Sequence, residues 1–102
     1  MPNRLFLGMI NQMKEVIDRT IGVVDDTFAV LACSDLSTVG EIREELAEAT
    51  FNTQETFVLG GYTYRAFGPR PHGDYLVFVE GEDEEAEKYA SLMGISLANA
   101  KQ

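Results

Sequence analysis

The sequence has no tryptophan, three prolines, one histidine and one cysteine among its 102 residues. A single cysteine cannot form a disulfide within the chain, so no covalent cross-link of its own supports the fold. Long apolar runs are also missing. No stretch reaches the length of a membrane-spanning helix, and none follows a positively charged start in the manner of a secretory signal. We therefore expect a cytoplasmic protein.

Positive charge is scarce as well. Eight Lys and Arg residues face 17 Asp and Glu residues, which gives a formal net charge of −9. Such a surface repels phosphate backbones and anionic lipid, so we expect no direct contact with nucleic acid or membrane. The length and the 45% hydrophobic composition predict one domain over residues 1–102, with a modest core and no DNA-binding domain within it.

The first third of the chain changes from a helical pattern to a strand pattern. Apolar residues recur at helical spacing over about 4–19, which predicts a helix with Asn3 as its cap. Two short runs rich in β-branched and aromatic residues then flank Asp25 and Asp26. Turn formers between such runs are typical of a β-hairpin, so we expect two antiparallel strands.

The middle of the chain carries a helix signal and a second hairpin signal. Glu41 follows Thr38 by three residues, as in a capping box, and predicts a short second helix that ends near residue 49. Gly60 and Gly61 separate two apolar runs and predict another hairpin. In its second strand, alternation places Tyr64 on one face and its neighbour Arg65 on the other.

The last third predicts a strand and a helix. Residues 75–79 are apolar enough to form a central fifth strand, and residues 82–100 follow as the final helix. The order α-β-β-α-β-β-β-α predicts an α+β fold, a five-stranded antiparallel sheet with flanking helices. This order is shared by the profilin-like group, which includes PAS, GAF and roadblock domains, so we expect a profilin-like or PAS-GAF-like architecture by analogy.

One stretch of the chain is basic and aromatic. Residues 56–73 contain no acid but include Arg65, Arg70 and His72 beside Tyr64. Because arginine binds carboxylates and phosphates with bidentate geometry, these four residues are the candidate site for a small anion or a partner carboxylate. The alternative is that the arginines balance the acidic helices through weak surface ion pairs.

The sequence assembles no catalytic set. His72 lies in a Pro/Gly loop with no nucleophile or carboxylate nearby, and Cys33 ends an apolar strand as a packing residue. The acids at 82–85 open a helix and point in several directions, so they cannot converge on one ion. We predict no enzymatic activity, no metal and no cofactor.

A family resemblance rests mainly on short motifs between residues 17 and 41. They are Ile17-Asp18-Arg19-Thr20, a short apolar strand, the Asp25-Asp26 turn, Ala32-Cys33-Ser34 and Val39-Gly40-Glu41. This arrangement resembles the sugar-diacid recognition domain at the N-terminus of CdaR/PucR-type bacterial transcriptional regulators, and residues 84–89 resemble that family's last helix. The resemblance implies a sensor that binds a small effector and signals through its terminal helices to a DNA-binding output outside this chain.

The competing hypothesis is an interaction module without a ligand, like the roadblock proteins that dimerise and scaffold small GTPases. A solvent-accessible cavity between sheet and helices would favour sensing. A closed interior beneath a large apolar helix surface would favour scaffolding.

Apolar residues on both terminal helices also predict a homodimer. They offer more apolar area than one face of a small sheet needs, and isologous pairing would cover the excess. The residues concerned are Leu5, Phe6, Met9, Ile10, Met13, Ile17, Tyr89, Met93 and Leu97. The alternative is that one helix covers each face of the sheet and leaves no excess.

Overall fold

The computed structural model describes residues 2–48, 55–68 and 75–100, which form a sheet with helices and 3₁₀ turns. The elements in chain order are α1 (Pro2–Met13), β1 (Ile21–Val24), β2 (Val30–Cys33), two 3₁₀ turns (Leu36–Thr38 and Glu44–Glu48), β3 (Thr56–Leu59), β4 (Tyr62–Phe67), β5 (Tyr75–Glu80) and α2 (Glu84–Ala100). The predicted α+β fold with a five-stranded antiparallel sheet and flanking helices is confirmed.

The sheet has the strand order β2-β1-β5-β4-β3, with every neighbouring pair antiparallel. β5 lies at its centre, as its apolar sequence predicted, and its residues from Leu76 to Val79 are buried. Both predicted hairpins are present. Gly60 and Gly61 turn the second one with φ of +60° and +87°, a conformation that glycine adopts without strain.

Both α-helices cover one face of the sheet. α1 contributes Phe6 and Ile10 to the core there, and the inner side of α2 contributes four residues, Ala86, Ala90, Met93 and Leu97. They pack against strand residues that alternate toward this face, namely Ile21, Val23, Ala32, Phe67, Val77 and Val79. The alternative of one terminal helix on each face is therefore wrong. In the described part of the chain, no helix combines the length and the apolar character needed to cross a membrane.

Residues 34–48 cover the opposite face, and here the predicted second α-helix is wrong. The helical structure of the segment consists of the two 3₁₀ turns, and the first is capped by Asp35, which accepts a hydrogen bond from Ser37 N (3.1 Å). The backbone then runs beside β2, because Val30 N donates to Glu41 O (2.9 Å) and Gly40 N donates to Val30 O (2.8 Å). Glu41 O therefore accepts from a strand residue, whereas in a helix beginning at Thr38 it would accept from the backbone N four residues further on.

The ends of the two α-helices also differ from the predictions. α1 ends at Met13 rather than near residue 19, and the chain leaves it through a turn in which Val16 N and Ile17 N both donate to Met13 O. α2 begins at Glu84, directly after Asp83. Asp83 caps the helix, since its Oδ1 accepts a hydrogen bond from Ala86 N (3.1 Å).

Candidate functional site

The predicted site residues do not gather in one place. Tyr64 is fully buried on the face covered by residues 34–48, whereas Arg65 is half-buried on the helical face. This separation follows from the two-residue period of β4 and agrees with the predicted alternation. Arg70 and His72 lie outside the described residues.

Arg65 holds a helix against the sheet. Its Nη1 donates to Ser91 Oγ (3.1 Å) on α2, and a small hollow of about 150 Å³ lies beside it, also lined by Phe67, Gly94 and Ile95. The hydrogen-bond partner of Arg65 is thus a hydroxyl group on α2.

A different arginine, Arg43, is buried in the fold, although no pattern in the sequence singled it out. Arg43 is only 5% exposed, and its guanidinium carbon lies 4.2 Å from the ring centroid of Phe78 and 4.5 Å from that of Tyr62. Its Nη1 donates to Tyr64 Oη (3.0 Å), and its Nε lies 3.5 Å from Glu41 Oε1. We refer to Arg43, Tyr62, Tyr64 and Phe78 as the arginine cage.

Three segments of the chain build the arginine cage. β4 and β5 place its three aromatic rings on one face, where Tyr64 pairs with Phe78 in register. Arg43 comes from the link between the two 3₁₀ turns, and its backbone is fixed because its N donates to Phe28 O (2.8 Å). Three aromatic rings on the sheet, of which Tyr64 and Phe78 are buried, therefore pack against a cation from the segment that covers them.

Gly22 makes room for the cage. It lies opposite Phe78 on the neighbouring strand, and a Cβ at this position would lie 2.6 Å from Phe78 Cε2 and 2.5 Å from Ala32 O. Such distances exclude any side chain unless the strands move. Glycine is therefore required at position 22 by packing, because any side chain there would overlap the Phe78 ring.

The arginine cage carries a positive charge that is largely out of water. Burial by itself would lower the pKa of Arg43, but the hydrogen bond to Tyr64 and nearby negative charge leave it raised. Burial raises the pKa of Tyr64, which stays a neutral phenol, although the Arg43 contact opposes this shift. Within the described part of the chain the ion-pair partner of Arg43 is Glu41, whose side chain is 57% exposed.

The same face offers little for covalent or metal chemistry. Cys33 is buried, and burial raises the pKa of its thiol, so the reactive thiolate is disfavoured. Among residues 2–48, 55–68 and 75–100, no group of three His, Cys, Asp or Glu side chains could hold a metal ion.

Arg19 belongs to the Ile17-Asp18-Arg19-Thr20 motif on which the family resemblance rests. It links the segment before β1 to the start of α2. Its two Nη atoms donate to both carboxylate oxygens of Asp83 (2.6 and 2.7 Å), and its Nη1 also donates to Glu80 O (3.2 Å). This contact holds the pKa of Asp83 well below its usual range. Gly81 has a φ of +113° and leaves space for the guanidinium, since a Cβ there would lie 2.6 Å from Arg19 Nη1.

The outer side of the two helices is apolar and partly open. A groove of about 410 Å³ lies between α1 and α2 and is lined by Gln12, Met13, Val16, Ile17, Tyr89, Leu92, Met93 and Ser96. Val16 is 82% exposed and Leu92 is 63% exposed. Of the nine residues from which a dimer was predicted, five are buried in the core instead: Phe6, Ile10, Ile17, Met93 and Leu97.

Comparison of the chain with protein-family models, with curated proteins and with solved structures finds no match. A functional assignment therefore depends on the geometry described above and on the resemblance noted in the sequence.

Proposed function

We propose that this chain is a cytoplasmic, non-enzymatic sensor domain of a bacterial transcriptional regulator, which binds a small anionic metabolite at the arginine cage. The observation that carries the proposal is the buried guanidinium of Arg43, which packs against the rings of Phe78 and Tyr62 and lies 3.5 Å from the Glu41 carboxylate. The motifs between residues 17 and 41 support the regulatory role. The five-stranded antiparallel sheet with an α-helix before its first strand and another after its last strand supports a profilin-like sensor fold.

The geometry around Arg43 favours an anion. A charged group that is removed from water is costly unless it is paired and hydrogen-bonded. The 3.5 Å separation from Glu41 is longer than the roughly 2.7–2.9 Å of a strong charge-assisted hydrogen bond. A small carboxylate or oxyanion that displaces Glu41 would therefore gain a better contact with the guanidinium than the chain itself provides.

Access to the arginine cage depends on residues 34–48. This segment contains two short 3₁₀ turns, of three and five residues, in place of a continuous α-helix. Short 3₁₀ turns have poorer hydrogen-bond geometry than an α-helix. Glu41 lies at the exposed side of Arg43, so the proposed ligand enters where that carboxylate now lies.

The sheet provides a direct route from the arginine cage to the helices. Tyr64 and Phe78 lie on one face of β4 and β5, while their chain neighbours Arg65 and Val77 pack toward α2 on the other face. A shift of these two strands on ligand binding would therefore change the packing of the C-terminal helix.

Ligand binding is tested by thermal unfolding with phosphate, sulfate and a set of small mono- and dicarboxylates. A probe at 100 times its dissociation constant adds about 2.7 kcal/mol of stability, which for a domain of this size raises Tm by on the order of 10 °C. We expect Arg43→Met to abolish the shift and Glu41→Gln to tighten binding by removal of the competing carboxylate.

The matched control is Arg65→Met, the same change on the opposite face of the sheet, which should leave binding unchanged. Equal affinity in Arg43→Met and the unsubstituted protein would contradict the proposed site. No shift with any anion would contradict anion sensing itself.

The second candidate function is a protein-interaction module without a ligand, comparable to roadblock domains. The exposed apolar groove between α1 and α2 favours it. This alternative predicts self-association or partner binding together with a melting curve that no small anion moves.

A further inference from the structure

We propose that the outer surface of the helical layer binds a second copy of this chain, with the two α2 helices antiparallel across a two-fold axis. We define this outer helical surface by three exposed apolar residues, Leu5 on α1 and Leu92 and Ile95 on α2. The inference does not depend on anion binding at the arginine cage.

The outer helical surface carries little charge. All charged residues of α2 lie in its first five positions, and the helix has none from Tyr89 to Ala100. α1 contains a single charged residue, Arg4. In a chain with 17 acidic residues, α1 and residues 89–100 of α2 together carry a single charge, that of Arg4.

The low charge of this surface also favours a second copy of the chain as its partner. Two copies that each carry a net charge of −9 repel one another over most orientations, and the repulsion is weakest where uncharged surfaces meet. A basic partner would instead be attracted to the acidic surfaces elsewhere. An uncharged apolar surface is complementary to itself, which is what an isologous contact requires.

The shape of the surface agrees with this pairing. Leu92 lines the groove of about 410 Å³ between the helices, and Ile95 lies three positions further along α2. Positions 88, 92, 95 and 99 are spaced by four, three and four, so they form a ridge along one side of the helix. In a symmetric contact, the ridge of each copy packs against the ridge and groove of the other.

Charge at the start of α2 sets the orientation. Glu84, Glu85 and Glu87 occupy its first turn. Parallel packing would bring these acids of both copies together, whereas antiparallel packing places each acidic turn beside the uncharged half of the partner helix. With the axis midway between Leu92 and Ile95, Lys88 of one copy faces Asn99 of the other.

Self-association is tested by light scattering and sedimentation of the full chain over a dilution series. A monomer has a mass of 11.3 kDa, and we expect a species of about twice that mass at micromolar concentration. The paired changes Leu92→Glu and Ile95→Glu, at the centre of the contact, should raise the dissociation constant by about 100-fold or more.

Leu36→Glu is the matched control. Leu36 is 63% exposed, as Leu92 is, but lies on a 3₁₀ turn far from α2 in the fold, so its substitution should leave the dimer intact. Added salt should strengthen the dimer because it screens the repulsion between two acidic chains. A monomer at every concentration, or a dimer that Leu92→Glu with Ile95→Glu does not weaken, would overturn the proposal.

The orientation is tested by cross-linking, for which buried Cys33 gives little background. Lys88→Cys mixed with Asn99→Cys should form a disulfide-linked dimer under mild oxidation, and Lys88→Cys alone should not. The two positions are about 16 Å apart on one helix, so the two arrangements are distinguishable. Efficient cross-linking of Lys88→Cys with itself would overturn the antiparallel arrangement.

Discussion

Replacing Gly22 with alanine should destabilise this domain out of proportion to the size of the change. The added methyl group would lie 2.6 Å from Phe78 Cε2 and 2.5 Å from Ala32 O. The Phe78 ring also packs against Arg43, whose guanidinium carbon lies 4.2 Å from the ring centroid. Ala32 O belongs to the backbone of a paired strand, so it cannot move without disturbing the β1–β2 hydrogen bonds.

The magnitude follows from two opposing contributions. Overpacking a well-packed core costs about 1–3 kcal/mol, and the backbone contact at position 22 places Gly22→Ala at the upper end of that range. Loss of glycine's freedom in the unfolded chain returns about 0.4–1 kcal/mol. We therefore expect a net loss of about 2 kcal/mol, a large part of the roughly 5–15 kcal/mol that keeps a typical domain folded.

Urea denaturation followed by circular dichroism and tyrosine fluorescence measures this loss. Gly8→Ala is the control, because Gly8 lies in the interior of α1 with nothing within 4 Å of an added Cβ. There the same substitution should stabilise the protein by about 0.5–1 kcal/mol. Equal effects of the two substitutions, or an unchanged unfolding free energy for Gly22→Ala, would refute the packing argument.

A double-mutant cycle can identify the clash. Phe78→Leu removes the ring atoms nearest the new methyl group, so Gly22→Ala should be less destabilising in that background than alone. The contact with Ala32 O stays in place, and the rescue should therefore be partial. Strict additivity would mean that the Phe78 ring does not limit position 22.

Three further predictions concern single side chains. Tyr64→Phe removes the hydrogen-bond acceptor of the buried Arg43 guanidinium and should lower the unfolding free energy by about 1–3 kcal/mol; Tyr62→Phe, which keeps its ring on Arg43, should change it little, and equal losses would contradict the distinction. The depressed pKa of Asp83 stabilises the fold above the ordinary aspartate pKa, and this stability is lost as pH falls through the lower folded value. Asp83→Asn should therefore flatten the acid side of a plot of urea midpoint against pH, and an unchanged slope would argue against it. Cys33, fully buried with a raised pKa, should react with a thiol reagent much more slowly in the native protein than in urea, and comparable rates would show that it is accessible.

Local pattern determined the strands and their faces. The two hairpins follow from turn residues between β-branched and aromatic runs, and the period of two in β4 correctly separates Tyr64 from Arg65. The central place of β5 follows from its apolar residues, because a strand buried on both faces needs no polar alternation. The inner sides of α1 and α2 likewise follow from helical periodicity.

Tertiary structure alone decided what covers the second face of the sheet. The Thr38–Glu41 capping pattern is a local signal for a helix. The folded chain instead forms hydrogen bonds between Val30 and residues 40–41, which are about ten residues apart in sequence. Whether the terminal helices share a face is likewise invisible to periodicity, because an apolar stripe shows that a helix is covered without showing by what.

The burial of Arg43 in the arginine cage is the feature that sequence patterns predict least. In the sequence, Arg43 lies among acids in a polar segment and is typical of a solvent-exposed residue, whereas Arg65 lies in a basic and aromatic strand. Burial of Arg43 depends on Tyr64 and Phe78, which are 21 and 35 positions away and meet it only when β4 pairs with β5. Composition and periodicity record the preference of each residue for water or core, but the partners that make a buried charge tolerable are determined by the folded chain.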